Sequence, residues 1–328
     1  MIKSENEIQT YVHSWITNGN RFVESSPYLS NKIAYLVKLY LNSACVKKSL
    51  YKNFSILRYI ANYLISRNCY KAFKGRANDI FIVSYPRSGT TWVCNILYQL
   101  ISKGNMDFVH LSEKVPFLDR ALGYPTYLEY IEKMEGRRLF KSHIGYSEMP
   151  KYPCKYIYVY RDGKSVANSY YYFYKTYIGL RENFKNFMLY CYYPGFVQYG
   201  SYYKHLKNWF QNKYNLDVLY VNYDDCINSF DKMLTKIADH IGIKMNEELE
   251  KKVTEYTNFK FMKEHSLKFA HHMEIKWEYE NFVQQIDNNN YGHIRKGETD
   301  DWKNQFDDYL INLHNKHKKK YLNKFINF

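Results

Sequence analysis

Three short apolar runs, each leading into or toward a helical stretch, narrow what this chain can fold into. Ile80–Ser84 (IFIVS) is a continuous, β-branched run of the kind buried on both faces in a parallel sheet. It enters a turn at Tyr85–Gly89 and then a helical pattern over Thr90–Ser102. Lys155–Tyr160 (KYIYVY) enters a turn at Arg161–Gly163 and a helix from Lys164, and Asp217–Tyr223 (DVLYVNY) precedes a helix across Ser229–Ile241. Strands alternating with helices predict an α/β fold on a parallel sheet, because each parallel strand needs a crossover before the next. Residues 1–76 read as helical, with Ile56, Leu57, Ile60 and Leu64 on one face. Beyond Glu264 the periodicity fades, and His265–His293, with its NNN and paired histidines, has the texture of a lid or binding loop. No internal repeat or Pro/Gly-rich linker divides the chain, so one main domain over 77–328 follows a helical extension over 1–76 packed on it.

Composition bounds the partners. The 47 Lys and Arg outnumber the 32 Asp and Glu, and the net charge of +15 favours an anionic partner: nucleic acid, an anionic membrane surface or a polyanionic small molecule. The densest basic run, His314–Lys320 (HNKHKKK), reads as a solvated helix end. Cys45, Cys69, Cys94, Cys154, Cys191 and Cys226 show neither C-x-x-C nor metal-ligand spacing, which predicts free thiols in a reducing compartment and no metal. The N-terminal residues lack a signal-peptide layout, and no run reaches the roughly 18 apolar residues a membrane span needs. A cytoplasmic protein with no stable membrane insertion is expected. The 37 Tyr suit half-wet pockets as well as core, because each adds apolar area and one polar atom.

Ser84–Thr91 (SYPRSGTT) joins the first strand to its helix and carries the chemistry of an anion cradle. Gly89 permits a backbone that turns successive N–H groups inward. Ser88, Thr90 and Thr91 add hydroxyls at a helix N-terminus, where the dipole favours negative charge. Arg87 supplies a rigid fork of donors, and Trp92 a face on which a purine can stack. A Ser/Thr-rich start also serves simply as a helix cap, but strand, Arg, Gly and two Thr together favour the anion. G-x-x-x-x-G-K-[ST] is absent, and no acid at a strand end makes a convincing Mg²⁺ ligand, so a kinase-like phosphoryl transfer fits poorly. A donor that needs no metal fits better.

Tyr85–Trp92 (YPRSGTTW) resembles the Y-P-K-S-G-T-T-W loop of the soluble PAPS-dependent sulfotransferases, where PAPS is 3′-phosphoadenosine 5′-phosphosulfate. Further segments follow in order. Tyr158–Tyr172 (YVYRDGKSVANSYYY) matches the segment whose Arg and Ser hold the 3′-phosphate, which implies that role for Arg161 and Ser169. Ile294–Phe306 (IRKGETDDWKNQF) matches R-K-G-x-x-G-D-W-K-x-x-F and implies a phosphate clamp at Arg295, Lys296 and Gly297, with Asp300 in place of the family Gly. Tyr223, and Thr257 and Phe259 within YTNFKFM, fall where the family contacts adenine. Lys141-Ser142-His143 follows the strand-like Arg138–Phe140 and matches K-(T/S)-H, implying His143 as general base and Lys141 as a cation beside the transferring group. The resemblance covers about Asp79–Phe306 and implies a P-loop-like three-layer fold: a central, mostly parallel sheet flanked by helices. It also implies PAPS as donor, adenosine 3′,5′-bisphosphate as product, and no metal.

Arg87 departs from the family Lys, and since a guanidinium does not give up its proton, it is expected to act electrostatically. The family dimerisation motif K-x-x-x-T-V-x-x-x-E is not visible after Lys303, so the usual dimer is not carried over. A small-molecule acceptor bearing a hydroxyl or amine is expected, a natural product among the possibilities, with Val115–Tyr130, Tyr170–Tyr177 and His265–Tyr291 as lining segments. In the last of these, Glu274, Glu278 and Glu280 set a cationic acceptor against ordinary solvated loop charge. Two other classes remain beside the transferase: a basic nucleic-acid or membrane binder, and an inert PAPS-binding protein. Cations spread over one nucleotide's phosphates, and an intact Lys141 and His143, favour the enzyme and no nucleic acid.

Overall fold

The computed structural model describes residues 73–121, 125–175, 180, 182–195, 197, 199–269, 294, 297 and 300–323. The expected helical extension lies outside these residues except for Phe73–Arg76, which form no helix. The loop expected at His265–His293 lies outside them beyond Phe269, apart from its flanks, as do its acids Glu274, Glu278 and Glu280.

Strands β1 (Ile80–Ser84), β2 (Leu139–Ser142), β3 (Lys155–Tyr160) and β4 (Asp217–Asn222) form one sheet in the order β2-β1-β3-β4. Every neighbouring pair is parallel. The β2 expected from Arg138–Phe140 extends to Ser142, which brings Lys141 and Ser142 into the sheet beside Ile82 and Val83. Tyr223 does not end β4 but opens a short helix, Tyr223–Asn228, because the Asn222 side chain accepts from the Asp224 N–H and caps it.

Side chains alternate across each strand, and the two sets build separate cores. Ile80, Ile82, Leu139, Ile157 and Val159 face α1 (Thr90–Ser102), α4 (Phe230–Ile241) and α5 (Glu247–Thr257). Phe81, Val83, Phe140, Tyr156 and Tyr158 face α2 (Gly163–Phe173), α3 (Tyr202–Gln211) and α6 (Asp308–Leu322). The expected three-layer α/β fold is therefore present. Much of the Tyr content goes into the second core, where hydroxyls find partners: Tyr156 Oη donates to the Pro150 carbonyl at 2.9 Å, and Tyr158 Oη lies 2.8 Å from His205 Nδ1.

Below the sheet, the fully buried Arg138 and Asp79 pair through two contacts of 2.8 and 2.7 Å and tie the start of β1 to that of β2. One expectation fails in α6. Lys316 and Lys318–Lys320 are exposed as a solvated end should be, but His314 is buried, its Nε2 2.5 Å from Tyr203 Oη. The helical period turns that first position of the run inward while the lysines that follow it face water.

The chain leaves β1 on one side for β2 and returns on the other for β3, so the crossovers diverge at the C-terminal end of β1. In open α/β sheets such a divergence opens the crevice where ligands bind.

Candidate active site

The loop after β1 is wound left-handed at Arg87 (φ 72°) and at Gly89 (φ 93°). A Cβ on Gly89 would fall 2.1 Å from the Tyr223 ring, so the turn and the packing both require glycine. Gly89 is the N-cap of α1, and no side chain caps that helix. The Thr90 hydroxyl turns back to Ser84, and the Ser88 hydroxyl is buried without a hydrogen-bond partner. An uncapped helix N-terminus behind a tight glycine turn fits a bound anion rather than a self-contained cap.

The second anion segment meets the first directly. Arg87 Nε donates to Ser169 Oγ at 3.1 Å, and its guanidinium lies 5.5 Å from the centre of the Phe173 ring. Arg161, at the end of β3, rests 4.4 Å from the Tyr223 ring centre with Nε 3.6 Å from Asp224 Oδ1. Burial pushes the Asp224 carboxyl above its usual value, against the pull of the Asp162 N–H and of Arg161.

Trp92 stacks on Phe230 at 5.9 Å, meets Tyr223 edge-on at 5.3 Å, and donates its indole N–H to the Thr257 carbonyl at 2.7 Å. The Thr257 hydroxyl donates to the Val253 carbonyl at 2.7 Å within its own helix, so Thr257 serves the site through its backbone. Phe259 is 45% exposed, and a Cβ on Gly297 would approach its ring to 2.6 Å. The segment beyond Gly297 docks on α2: Asn168 Nδ2 donates to Asp301 Oδ2 at 2.8 Å, and Lys164 stands 4.3 Å from the Trp302 ring centre. Arg295 and Lys296 lie outside the described residues.

The Lys141-Ser142-His143 segment closes the other side. Lys141 Nζ lies 4.7 Å from the Phe117 ring centre. His143 Nδ1 is 2.9 Å from the Ser84 carbonyl. A carbonyl only accepts, so Nδ1 carries the proton and Nε2 keeps its lone pair. The imidazole sits edge-on between Phe117 at 5.1 Å and Tyr199 at 5.5 Å. Tyr199 holds a φ of 81°, a left-handed conformation that a tyrosine seldom adopts, and Tyr85 Oη bonds the next residue's carbonyl, Gly200 O, at 2.7 Å.

One cavity of about 540 Å³ collects these groups. Arg87, Gly89, Thr90, Thr91, Trp92, Arg161, Ser169, Tyr223, Thr257, Phe259 and Gly297 line it, together with Lys141 and His143. Ser88 is fully buried and is not part of that wall. Phe117, Tyr170 and Phe173 add an aromatic wall from two of the segments expected to line the acceptor pocket. Tyr199 joins them, and His205 stands behind the wall, from stretches that offered no sequence signal; Ser84 and Asp119, also behind it, belong to segments the sequence marked without singling those residues out. A second, more open depression along α5 is lined by Glu247, Glu250 and Glu255, and its carboxylates repel a polyanion. Among the described residues, no group of three or more His, Cys, Asp or Glu gathers as for a metal ion, and no helix is long and apolar enough to cross a membrane.

Comparison with known proteins gives a consistent result. The sulfotransferase domain family model matches residues 77–325. Rat sulfotransferase 1A1 is 32% identical over 251 residues, covering 71% of this chain and 81% of the relative. Human sulfotransferase 1E1 is 30% identical over 262 residues, covering 75% and 84%. The crystal structure of mouse sulfotransferase SULT7A1 complexed with PAP superposes with a TM-score of 0.61 at 25% identity, covering 78% of this chain and 89% of that one. Retinol dehydratase in complex with androsterone and inactive cofactor PAP gives a TM-score of 0.67 at 23% identity over 80% and 85%, a likeness of fold.

Proposed function

Since this chain belongs to the sulfotransferase family, we propose that it moves a sulfuryl group from PAPS to a hydroxyl or amine of a small-molecule acceptor and releases adenosine 3′,5′-bisphosphate. The observation that carries this reading is the shared cavity: an uncapped helix N-terminus and the cations Arg87, Arg161 and Lys141 stand in one space with the lone-pair nitrogen of His143. The donor supplies an activated sulfur whose bond to the 5′-phosphate is ready to break.

The residues then divide the work. Arg161 and Ser169 hold the 3′-phosphate, and the β1–α1 loop holds the 5′ end through its backbone N–H groups and the helix dipole. Trp92, Phe230, Tyr223 and Phe259 enclose the adenine. His143 Nε2 takes the proton from the acceptor hydroxyl as its oxygen attacks sulfur. Lys141 and Arg87 offset the negative charge that develops on the leaving phosphate, and Arg87 does so as a fixed cation. Acceptor hydrogen ends on His143, the sulfuryl group ends on the acceptor oxygen, and the nucleotide leaves as the bisphosphate.

Phe117, Tyr170, Phe173 and Tyr199 make the acceptor wall apolar, which favours a phenol or an alcohol on an apolar body. The androsterone and retinol bound by the retinol dehydratase neighbours are molecules of that character. A cationic or amine-bearing acceptor rests on Glu274, Glu278 and Glu280, outside the described residues. We place the enzyme in the cytoplasm, in keeping with the free, buried Cys94, Cys154, Cys191 and Cys226.

Bisphosphate release from PAPS, followed across neutral phenols, alcohols and amines, tests both the reaction and the acceptor class. His143→Ala is expected to lower turnover by roughly 10²–10⁴-fold. Full transfer by that variant removes His143 from the role of base, and a clear preference for amines overturns the apolar acceptor.

A further inference from the structure

The peptide of His143 is gripped from both sides by side chains that do not line the cavity. On one side, Asp119 accepts the His143 N–H at 2.7 Å through Oδ2 and the Ser142 hydroxyl at 2.6 Å through Oδ1. On the other, His205 Nε2 lies 3.1 Å from the His143 carbonyl and 3.0 Å from the Ile144 carbonyl. Both carbonyls only accept, so Nε2 carries the proton, and Nδ1 accepts from Tyr158 Oη at 2.8 Å. The two imidazoles are thus fixed in opposite tautomers: His143 protonated on Nδ1, His205 on Nε2.

We infer that Asp119 and His205 are positioning residues of the transfer reaction, fixing the His143 peptide and so aiming Nε2 at the acceptor oxygen. The inference rests on the reading of His143 as base. A base works only within hydrogen-bond reach of the proton it takes, and a shift of about 1 Å costs on the order of 100-fold in rate. The imidazole is tied to β1 through Nδ1, which lies 2.9 Å from the Ser84 carbonyl, and the backbone that carries the ring sets where Nε2 stands relative to that anchor. His205 suits a permanent donor. It is buried, and desolvation pushes its imidazole down to about 4, so it stays neutral with one N–H to give. Its ring also meets Tyr85, the first residue of the anion loop, edge-on at 5.6 Å.

Loosening this grip should slow the chemistry and leave the donor site intact, because the donor contacts come from the β1–α1 loop and α2. The test compares Asp119→Asn, His205→Leu, His205→Gln and His143→Ala by kcat and by calorimetric Kd for adenosine 3′,5′-bisphosphate. Asp119→Asn and His205→Leu are expected to lower kcat by about ten- to a hundredfold with Kd within about twofold. His205→Gln, whose amide N–H reaches toward the same carbonyls, should recover to within about fivefold of the parent. Kd lost in parallel with kcat, unchanged kcat in both variants, or Gln no better than Leu overturns the inference. Where His205→Leu fails to melt cooperatively, Asp119→Asn decides by the same split. Transfer retained by His143→Ala defeats the base reading itself; transfer lost there, with neutral Asp119 and His205 variants, defeats the positioning role alone.

Discussion

After β1 and after β3 the chain makes the same move, strand to turn to helix, on two adjacent strands of one sheet, but the two helix ends are used differently. At α1 the cap is Gly89 and no side chain fills the N-terminus. At α2 the Asp162 carboxylate accepts from the N–H groups of Lys164 and Ser165 at 3.1 and 2.9 Å, so a negative charge already occupies that end. The proposed 3′-phosphate site at α2 accordingly draws on side chains, Arg161 before the helix and Ser169 along it. A helix N-terminus is an anion site only when its own residues leave it open.

Closing the open end should have the largest effect. Gly89→Ala puts a Cβ into the Tyr223 ring and strains a backbone at φ 93°, and it is expected to weaken adenosine 3′,5′-bisphosphate binding by roughly 100-fold in calorimetry. A change below about fivefold would mean that the loop yields freely and that the two ends do not differ as described. Next comes the side-chain phosphate site. Arg161→Ala removes a charge-assisted contact of about 2 kcal/mol, or about 30-fold in Kd for the bisphosphate, with little change for adenosine 5′-phosphate. Equal loss with both nucleotides would place Arg161 away from the 3′-phosphate.

At the filled end the expectation shifts from binding to stability. Asp162→Ala should cost about 1 kcal/mol, read as a lower melting temperature, while donor affinity moves less than about threefold. A larger loss of affinity than of stability would make Asp162 part of the nucleotide site and erase the contrast. The acid limb gives a further check, spread over pH rather than read at one point. His314 stands against Gly163 at this same end and is held neutral by burial, as is His205, whose value falls from 6.5 to about 4. Between those two values the unfolded chain binds a proton that folded His205 refuses, so stability falls as the pH drops through that window. His205 contributes a slope of at most about 1.4 kcal/mol per pH unit. Melting His205→Gln from pH 7 to 4 should show a shallower decline than the parent, and an equal decline would mean that the imidazole is charged in the fold.

The contiguous parts of the site are legible in the residue order. Tyr85–Trp92 and Lys141–His143 each lie on one strand end, where spacing alone sets which groups share a face. β1, β3 and β4 follow from apolar runs, and β2 reads three residues wide because Lys141 and Ser142 look polar in a strand that the sheet buries. Tyr199 and His205 give no signal, and Ser84 and Asp119 are marked only by the segments that contain them, since a lone Ser, Asp, Tyr or His acquires its function from what the fold sets opposite it. His314 shows the same limit in reverse: a basic run reads as solvent-facing, but one helical position in it turns into the core.

The sequence by itself determined the chemistry this chain can perform: a turn that only glycine and a cation suit, a Lys-Ser-His at a strand end, and segments in the order of a sulfotransferase. Those are properties of short stretches, where spacing fixes geometry. Tertiary structure alone decided which helix end stays open, which nitrogen of His143 keeps its lone pair, and what holds its peptide in place. Each depends on the strand order β2-β1-β3-β4, which sets Ser84 against His143 and brings Asp119 and His205, far apart in the chain, to the N–H and the carbonyl of one residue.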